Sequence, residues 1–510
     1  MNKMIRKLLV ANRGEVALRV ARTCKEMGIK AVAVYTREEK NSLHASICDE
    51  GIEIEGKGVK AYLEIENLIK AAQKSSCQAI HPGWGFLSEN PNFALACEKA
   101  KILFVGPTSE HIQEIGDKAK AKRLAAELNI PTTKSVWEKN PDEAGFLTKI
   151  EKLGFPILLK PQAGGGGKGM VVVHQKKELK EALLKARKEA QSAFGNRRML
   201  AEQFINPVRH VEVQIVGDGK GKVKHLFERD CTLQRRHQKI LEESPSPFLN
   251  HEALDSLFKD ALTLTKAIKY RNLGTVEFIL DSQGHHYFME MNTRLQVEHP
   301  VTEERVGLDL VRIQILLAQG ESLESMLKSM NPEGHSLEVR IYAEDPEQHF
   351  LPATGKVLRM ILPKKDYLRI DSGIQEGMFI GHAFDPLLMK MVVCCENRED
   401  AIRKLEKALY ETVILGVNTN INFLRWVLSH HEFRKSRFDT LWAERNIKDY
   451  QAWEVSNRAD IPIAIVKSQE HIMGRHKVKS YLLDEENDWE NDPRDPWIML
   501  KNWRLGRHGR

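Results

Sequence analysis

The sequence predicts a mixed fold of the α/β and α+β classes, with an N-terminal open sheet followed by central and C-terminal β-rich parts. Two observations carry this prediction. Residues 7–36 alternate strand, tight turn, helix and strand, as in an open α/β sheet, whereas residues 209–292 are predicted to form two hairpins separated by a basic loop and a helix from about Glu252 to Tyr270. The length of 510 residues suits about three domains.

The composition limits the classes of function. Hydrophobic residues make up 42% of the chain and charged residues 29%, which is typical of a globular protein. The formal net charge of +7 is small against 77 basic and 70 acidic residues, so it suits anionic substrates and does not indicate a nucleic-acid partner. Seven scattered cysteines without a C-x-x-C pattern, and no apolar run near the ~20 residues of a membrane span, predict a cytoplasmic protein without a membrane partner.

The N-terminal segment KLLVANRGEVALRVARTCKEMGIKAVAVYT (residues 7–36) has a single glycine at its strand-to-helix turn. A dinucleotide site of the G-x-G-x-x-G type is therefore disfavoured. Further along, Asn90 and Pro91 predict the N-cap and first residue of a helix, and Asp117 predicts another N-cap next to Lys118. A lysine in the first helical turn opposes the helix dipole and is more stable beside a bound anion, although Asp117 can offset it.

The segment PILLKPQAGGGGKGMVVV (residues 156–173) places four glycines between two predicted strands. Glycine costs roughly 0.5–1 kcal/mol per position relative to alanine in regular structure, so the run indicates irregular or mobile backbone. A flexible linker is one interpretation. The flanking lysines favour a mobile lid whose N–H groups wrap a polyphosphate. The segment is not a P-loop, because Gly169 rather than Ser or Thr follows Lys168 and a strand comes next.

The segment EMNTRLQVEHP (residues 290–300) alternates polar and apolar residues, which predicts a strand with one polar face. A sheet whose polar side faces water is the simpler explanation. The preceding strand, however, carries Glu277, and a symmetric turn at 283–284 places it opposite Glu290. Like charges facing each other across a sheet are destabilising, but Mg²⁺ commonly takes one or two carboxylates together with substrate phosphates. With Asn292 as a further oxygen ligand, the hairpin predicts a phosphate-handling metal site.

The order of these features resembles the ATP-grasp superfamily, and several motifs narrow the resemblance to the biotin carboxylase component of acetyl-CoA, propionyl-CoA and pyruvate carboxylases. The motifs are ANRGEVALRV, HPGWGFLSEN, AGGGGKGM, RHVEVQ, ERDCTLQRRHQKILEESP, EMNTRLQVEHPVTE, EVRIYAEDP, FLPATG, RIDSG and FDPLLMK. The resemblance implies a Rossmann-like N-terminal domain at residues 1–113, an ATP-grasp domain at 114–335 with a lid at 132–204, and a β-rich C-terminal domain at 336–446. Residues 447–510 remain an unassigned tail.

The resemblance implies a reaction in which ATP phosphorylates bicarbonate to carboxyphosphate, which breaks down to CO₂ and phosphate beside biotin, the final carboxyl acceptor of this step. The cofactors implied are ATP and Mg²⁺ or Mn²⁺. The residues implied to hold ATP are Lys118, Lys160, Gly166, Gly167, His210 and His237, with Glu202, Gln203, Phe204 and Ile205 as the hinge contacting adenine. The residues implied to coordinate the metal are Glu277, Glu290 and Asn292, which agrees with the cross-strand argument.

The resemblance assigns the remaining polar residues to bicarbonate and biotin. The residues implied to bind bicarbonate are Lys239, Arg294, Gln296 and Val297. Glu298 is implied to be the general base, and an arginine fork beside a carboxylate suits the pairing and deprotonation of a planar anion. Arg340 is implied to stabilise the biotin enolate, a role that rests wholly on the resemblance.

The resemblance also implies partners: a homodimer, a biotin carboxyl carrier protein and carboxyltransferase subunits. Met389-Lys390-Met391 is similar to the surroundings of a biotinylated lysine, but it follows FDPLL and no small glycine-rich domain comes after it. We therefore interpret Lys390 as structural and expect the carrier to be another polypeptide. The lid departs from the family at Pro161-Gln162-Ala163, which is expected to alter lid closure. An acetyl-CoA carboxylase of fatty acid biosynthesis is one expected complex, although the sequence does not specify the final acceptor.

Two other functions remain open from the sequence. A different ATP-grasp ligase, joining a carboxylate to an amine, explains the lid and the acidic hairpin but not RRHQK, Arg340 and FLPATG. A non-catalytic scaffold subunit of a carboxylase complex keeps the fold, although every charged residue of the expected site is present.

Overall fold

The computed structural model describes residues 4–140, 143, 145–162, 169–328 and 330–457. Its N-terminal part is an open sheet of five parallel strands with helices between them, which confirms the Rossmann-like prediction. The elements are β1 Lys7–Val10, α1 Gly14–Glu26, β2 Lys30–Tyr35, α2 Leu43–Ile47, β3 Glu50–Glu53, α3 Gly58–Tyr62, α4 Ile65–Lys74, β4 Ala79–His81, α5 Pro91–Lys99, β5 Leu103–Phe104 and α6 Ser109–Ile115. The strand order is β3-β2-β1-β4-β5.

Two predicted helix caps are confirmed. The Asn90 side chain accepts hydrogen bonds from the backbone N–H groups of Asn92 and Phe93, and Pro91 begins α5. The Asp117 side chain likewise accepts from Ala119 and Lys120 at the start of the next helix. Both caps satisfy N–H groups that lack intrahelical partners.

A small four-stranded antiparallel sheet with two covering helices follows, at the place predicted for the lid. Helix α7 Lys118–Glu127 comes first and packs in the core of the central sheet; the elements of the small sheet are β6 Ser135–Trp137, α8 Phe146–Glu151, β7 Ile157–Pro161, β8 Val171–Val173, α9 Leu179–Phe194 and β9 Met199–Gln203. The strand order is β6-β9-β7-β8, with a separate apolar core that includes Phe146, Leu159 and Ala201. Residues 163–168, with the predicted Gly166 and Gly167, lie outside the described residues.

The largest element is an eight-stranded antiparallel sheet that connects the central part to the C-terminal part. The central elements are β10 Arg209–Asp218, β11 Val223–Arg235, β12 Gln238–Ser244, α10 His251–Ala267, β13 Arg271–Leu280, β14 His286–Asn292, α11 His299–Val306, α12 Leu310–Gln319 and α13 Leu323–Met326. The C-terminal elements are β15 His335–Tyr342, β16 Glu344–Asp345, β17 Leu351–Pro352, β18 Gly355–Lys356, β19 Arg359–Ile361, β20 Leu368–Ser372, β21 Phe379–Ile380, β22 Leu387–Cys395, α14 Arg398–Tyr410, β23 Val413–Leu415, α15 Ile421–Ser429, α16 His431–Arg434, α17 Trp442–Arg445 and α18 Ile447–Asn457. The strand order is β14-β13-β10-β11-β12-β15-β22-β20, and the pairing of β12 with β15 makes the sheet continuous.

The β13–β14 hairpin has the predicted register at its functional end, where Glu277 pairs with Glu290. The register shifts by one between Glu277 and Phe278, so Met289 is an extra residue on β14. The pairs next to the turn are offset by one from the predicted symmetry about 283–284, and the bulge brings the two acids directly opposite each other.

Two sequence-based assignments are wrong. The strand predicted through Glu298 ends at Asn292, because the backbone N–H of Thr293 bonds to the Glu89 carboxylate of the N-terminal part instead of a neighbouring strand. The predicted basic loop, which contains RRHQK, is instead the end of β11, a tight turn at Arg236 and His237, both at positive φ, and strand β12.

The described part of the chain ends in a helix. Residues 447–457 of the predicted tail form α18, and residues 458–510 lie outside the described part. All seven cysteines are free thiols. No helix in the described part of the chain combines the length and the apolar content that a membrane crossing requires.

Candidate functional site

A cavity of about 380 Å³ lies where the small sheet, the large sheet and the loop after β14 meet. Every sequence-predicted site residue that the structure describes lines it. On the side where ATP is predicted to bind, called the nucleotide side below, these are Lys118, Lys160, Glu202, Gln203, Phe204, Ile205, His210 and His237. On the opposite side they are Lys239, Glu277, Glu290, Asn292, Arg294, Gln296, Val297, Glu298 and Arg340. Residues more than 200 positions apart in sequence thus share one concave surface, as binding sites usually do.

A lysine surrounded by three acids occupies the centre of the cavity. The Nζ atom of Lys239 lies 2.5 Å from Glu212 Oε2, 2.7 Å from Glu298 Oε1 and 3.0 Å from Glu277 Oε1. Burial opposes the charge of Lys239, but Cys231 and these carboxylates hold its pKa well above the usual value. Lys239 is therefore a fixed cation, and it joins carboxylates from three separate segments of the chain.

Glu277 is the most highly connected of these acids. Its Oε1 accepts hydrogen bonds from Asn292 Nδ2 at 2.8 Å and from Gln296 Nε2 at 3.0 Å, and His210 Nε2 lies 3.1 Å from its Oε2. Although burial favours the neutral acid, Lys239 and His210 hold the pKa of Glu277 well below its usual range. Glu277 is therefore a carboxylate that can ligate a cation.

Glu290 faces the nucleotide side and pairs with Lys118 at 2.7 Å. Burial opposes the charge of Lys118, but Glu290 raises its pKa above the usual value. Glu277 and Glu290 pair in register and line the same cavity, and the Asn292 amide lies two residues along the same strand. An all-oxygen set of this kind fits a hard cation such as Mg²⁺ or Mn²⁺.

A second group of potential ligands, His210, Glu212 and Glu277, has its donor atoms within 4.8 Å of one another. The Lys239 ammonium group, however, lies against both Glu212 and Glu277. Lys239 thus already supplies positive charge to this buried group. Glu277 and Glu290 also contact lysines, Lys239 and Lys118, so the preference for the Glu277–Glu290–Asn292 set rests on its all-oxygen ligands, which suit a hard cation.

Glu298 is clamped between two cations. Lys239 contacts its Oε1, and Arg340 donates from a terminal nitrogen to its Oε2 at 2.8 Å. Burial favours the neutral acid, but Lys239 and then Arg340 hold the pKa of Glu298 well below its usual range. Arg340 also donates through Nε to Glu242 Oε1 at 2.6 Å. Glu298 is therefore ionised and can accept a proton only from a group that enters between these cations.

Arg294 connects the site to the N-terminal part of the chain. Its Nε donates to Glu89 Oε2 at 3.0 Å, and its terminal nitrogens donate to Asn292 Oδ1 at 3.0 Å and Gln296 Oε1 at 2.8 Å. Burial opposes its charge, but Glu89 raises its pKa above the usual value. The guanidinium group is thus a fixed donor at the edge of the cavity.

The nucleotide side is organised around Glu202. Lys122 Nζ lies 3.0 Å and Lys160 Nζ 3.3 Å from its carboxylate oxygens. Burial favours the neutral acid, yet Lys160 and Lys122 lower its pKa to about 2. Strands β7 and β9 pair here, with Leu158 opposite Glu202, which places the hinge next to the Lys160 side chain. At the β11–β12 turn, burial lowers the pKa of His237, so its ring is neutral at pH 7.

Five residues that build the site were not predicted to have a role: Glu89, Lys122, Glu212, Arg229 and Glu242. Arg229 is fully buried and donates to Glu212 Oε1 at 2.6 Å, which fixes the acid that supports Lys239. Glu212 lies between His210 and Gln214 on the polar face of β10, so its alternation was a usable signal. Glu89, in HPGWGFLSEN, follows a parallel strand, a position where ligand sites are common.

The fold and the site together define the class of protein. A small four-stranded sheet and a large antiparallel sheet enclose a cavity that holds paired acids and fixed cations, and this arrangement is that of an ATP-grasp ligase. Family models match three consecutive parts of the chain: the biotin carboxylase N-terminal domain at residues 4–112, the ATP-binding domain of the carbamoyl-phosphate synthase L chain at 117–326, and the biotin carboxylase C-terminal domain at 338–445.

Known proteins agree with these matches. A biotin carboxylase of Halalkalibacterium halodurans is 42% identical over 446 residues, which cover 87% of this chain and 98% of that protein. The mitochondrial methylcrotonoyl-CoA carboxylase subunit alpha of Mus musculus is 42% identical over 447 residues, 87% of this chain but only 62% of that longer protein. The biotin carboxylase domain dimer of the Hydrogenobacter thermophilus 2-oxoglutarate carboxylase, solved with MgADP, ADP and bicarbonate, superimposes with a TM-score of 0.85 at 39% identity and covers 88% of this chain and 99% of that one. The chain belongs to the biotin carboxylase family.

Proposed function

We propose that this chain carboxylates biotin on a carrier, using ATP and bicarbonate, as the first half-reaction of a biotin-dependent carboxylase. The observation that carries the proposal is the position of Glu298. Its ionised carboxylate lies between two fixed cations, Lys239 and Arg340, in the cavity that also contains the nucleotide-side lysines. A base with anion-binding cations beside a phosphate-binding region suits the deprotonation and phosphorylation of a small oxyanion.

We propose that the phosphates of ATP replace protein carboxylates as the partners of two lysines. In this structure Lys118 is held by Glu290 and Lys160 by Glu202, so both ammonium groups already point into the cavity. A triphosphate entering there would compete for both lysines, while residues 202–205 of the hinge would contact adenine. Gly166 and Gly167 of the lid stay a sequence-based prediction.

Glu277, Glu290 and Asn292 are proposed to hold Mg²⁺ or Mn²⁺. A bound divalent ion would supply charge neutralisation at the ATP phosphates. Glu277 is kept ionised by Lys239 and His210, and Glu290 becomes available once Lys118 turns to a phosphate. Glu277, Glu290 and Asn292 thus provide oxygen ligands for the metal ion. Lys118, which competes for Glu290, would leave it when ATP binds.

Bicarbonate is proposed to bind beside Lys239, Arg294, Gln296 and the backbone at Val297. Glu298 takes the bicarbonate proton, and a bicarbonate oxygen attacks the γ-phosphorus of ATP to give carboxyphosphate and ADP. Carboxyphosphate then breaks into CO₂ and phosphate, the phosphate accepts the proton of biotin N1′, and that nitrogen attacks CO₂. Arg340, which donates to Glu298 and Glu242, would stabilise the negative charge that develops on the biotin ureido oxygen.

The test of this function is a reaction with purified protein, ATP, Mg²⁺, bicarbonate and free biotin. ADP formation is expected to require bicarbonate and to rise with biotin, with carboxybiotin as the second product. ADP formation that instead requires an amine and a carboxylate would favour another ATP-grasp ligase. Nucleotide binding without any turnover would favour a scaffold subunit.

The partner proteins and the final carboxyl acceptor are also proposals. We propose a homodimer, a biotin carrier and a carboxyltransferase, with the domain division at residues 113, 335 and 446 described above. The methylcrotonoyl-CoA relative supports a branched acyl-CoA as one candidate acceptor, and acetyl-CoA remains another. Co-purification followed by mass spectrometry would identify the carrier and the transferase.

A cytoplasmic location stays a prediction of the sequence.

A further inference from the structure

Two buried acids face each other directly behind Arg340. Strands β12 and β15 pair so that Glu242 lies opposite Glu338, and Arg340 is two residues further along β15 on the same face. Both glutamates have no exposed surface. Directly opposed side chains on one face of an antiparallel pair are near neighbours, so their charges repel strongly if both are ionised.

The hydrogen bonds around the two acids are unequal. Glu242 Oε1 accepts from Arg340, whereas Glu242 Oε2 has no hydrogen-bond partner among the residues that the structure describes. In the same described set, neither oxygen of Glu338 has one. A buried carboxylate without donors is much less stable than a neutral carboxylic acid, so Glu338 is the better place for a proton.

The charges that face the pair come from four segments. Arg340 extends from β15, Lys390 from β22, Lys239 from β12, and Glu298 from the loop before α11. Burial raises the pKa of Glu338 well above its usual value, and Lys390 only partly counters it. Burial also raises the pKa of Glu242, to about 7, against the opposing effect of Arg340. Glu338, whose pKa burial raises well above its usual value, is also the acid without a hydrogen-bond donor among the described residues.

We propose that Glu338 holds a buried proton, and that Glu242, left as the carboxylate of the pair, positions Arg340 for the transfer of the carboxyl group to biotin. The inference rests on the proposed function for its second half only. If Glu338 were ionised, Arg340 would be drawn towards two carboxylates behind it. With Glu338 neutral, Arg340 donates hydrogen bonds both to Glu242, which pairs with Glu338, and to Glu298, which lines the cavity. Arg340 itself then also lines the cavity.

The proton on Glu338 can be observed without catalysis. Infrared difference spectra of wild type and Glu338→Gln are expected to show loss of one carboxylic-acid C=O band that shifts in D₂O. Glu243→Gln is the matched control, because Glu243 is the next residue of β12, is equally buried and is ionised by Arg398 and His335. The control should retain the band. An unchanged band in Glu338→Gln overturns the proposal, and Glu338→Met gives the same test if the amide variant does not fold.

The positioning of Arg340 is tested by steady-state kinetics with free biotin. Glu242→Gln is expected to lower biotin-dependent turnover by about tenfold or more and to raise KM for biotin, and this loss should exceed any fall in bicarbonate-dependent ATP cleavage without biotin. Glu338→Gln, which mimics the neutral acid, should stay within about threefold of wild type in both reactions. Wild-type biotin kinetics in Glu242→Gln overturns the positioning role.

The pH profile separates positioning from a general structural effect. As pH falls through about 7, Glu242 takes up a proton and loses its hold on Arg340, so biotin-dependent turnover should decline. That acidic decline should be absent in Glu242→Gln and retained in Glu338→Gln; its retention in Glu242→Gln contradicts the proposal. If wild-type protein carboxylates no biotin at all, the proposed function fails, whereas the infrared comparison still decides whether the pair holds a proton.

Discussion

Glu298 is the residue whose ionisation matters most for the proposed chemistry. It is almost fully buried, and it stays a carboxylate only because Lys239 and Arg340 contact its two oxygens. A low pKa makes it a weak base in this state. Bicarbonate entering between Glu298 and its cations would lengthen those contacts and raise its proton affinity, so substrate binding itself would prepare the base.

Replacement Glu298→Gln tests this role. The amide keeps the shape of the side chain but cannot accept the proton, so bicarbonate-dependent ADP formation should fall by about 10²–10⁴-fold. ATP binding, measured by calorimetry, should be retained, because Glu298 contacts Lys239 and Arg340 and none of the lysines on the nucleotide side. Glu252→Gln, at an exposed position of α10, is the control. Turnover of the Glu298 variant close to that of the control would remove Glu298 as the base.

At the scale of elements, strand β22 supports the loop between β14 and α11 through a buried lysine. Lys390 Nζ donates to the backbone oxygen of Val297 at 2.8 Å and lies 3.0 Å from Glu15 Oε1 in α1. Its side chain has no exposed surface, which agrees with the interpretation of Lys390 as structural rather than as a biotin acceptor. One side chain thus fixes the loop before α11 against the N-terminal part.

Lys390→Met should destabilise the fold, because it leaves Glu15 buried without a cation and removes a donor from the Val297 carbonyl. The expected loss in unfolding free energy is about 3–5 kcal/mol, measured by urea denaturation. The double variant Lys390→Met/Glu15→Gln should recover part of this loss, since the uncompensated charge is gone. Equal stability of the single and double variants would contradict the ion-pair explanation.

Strand β20 approaches the start of α1 so closely that only glycine fits at one position. A Cβ atom at Gly373 would lie 2.6 Å from the backbone nitrogen of Glu15. Gly373→Ala should therefore push α1 from the sheet and cost about 1–3 kcal/mol of unfolding free energy. Gly381→Ala is the control, because a Cβ atom there meets only ordinary contacts at 3.7 Å or more. Equal melting temperatures of the two variants would contradict the close approach of Gly373 to α1.

At the scale of the whole molecule, buried acids with lowered pKa values make stability depend on pH. Glu202 has a folded pKa of about 2 against an ordinary value of 4.5, so the unfolded chain binds its proton more readily than the folded protein does. Its contribution is therefore complete above about pH 4.5 and is lost as pH falls towards 2. Glu277 and Glu298 act in the same direction.

The contribution of Glu202 can be isolated by comparing wild type with Glu202→Gln across this range. The difference in unfolding free energy should be on the order of 3 kcal/mol near neutral pH and shrink steadily below about pH 4.5. Glu252→Gln should follow the wild-type curve. A difference that stays constant with pH would show that the loss comes from packing rather than from the ionised carboxylate.

The sequence by itself determined the local features. A symmetric turn at 283–284 predicted that Glu277 faces Glu290, and the two residues do pair, although the bulge at Met289 rather than the turn alone sets this register. The caps at Asn90 and Asp117 are equally local. The family resemblance selected the remaining residues that line the cavity, although it assigned them roles without geometry.

Only the tertiary structure decided which charges meet. Lys239 contacts acids from β10, β13 and the loop after β14, and Arg340 reaches Glu242, 98 positions away in sequence. The end of β14 is set by Glu89 of the N-terminal part, which side-chain alternation could not reveal. Alternation fixes the face on which a side chain lies, but the neighbouring strand and the depth of burial set its partners and its ionisation.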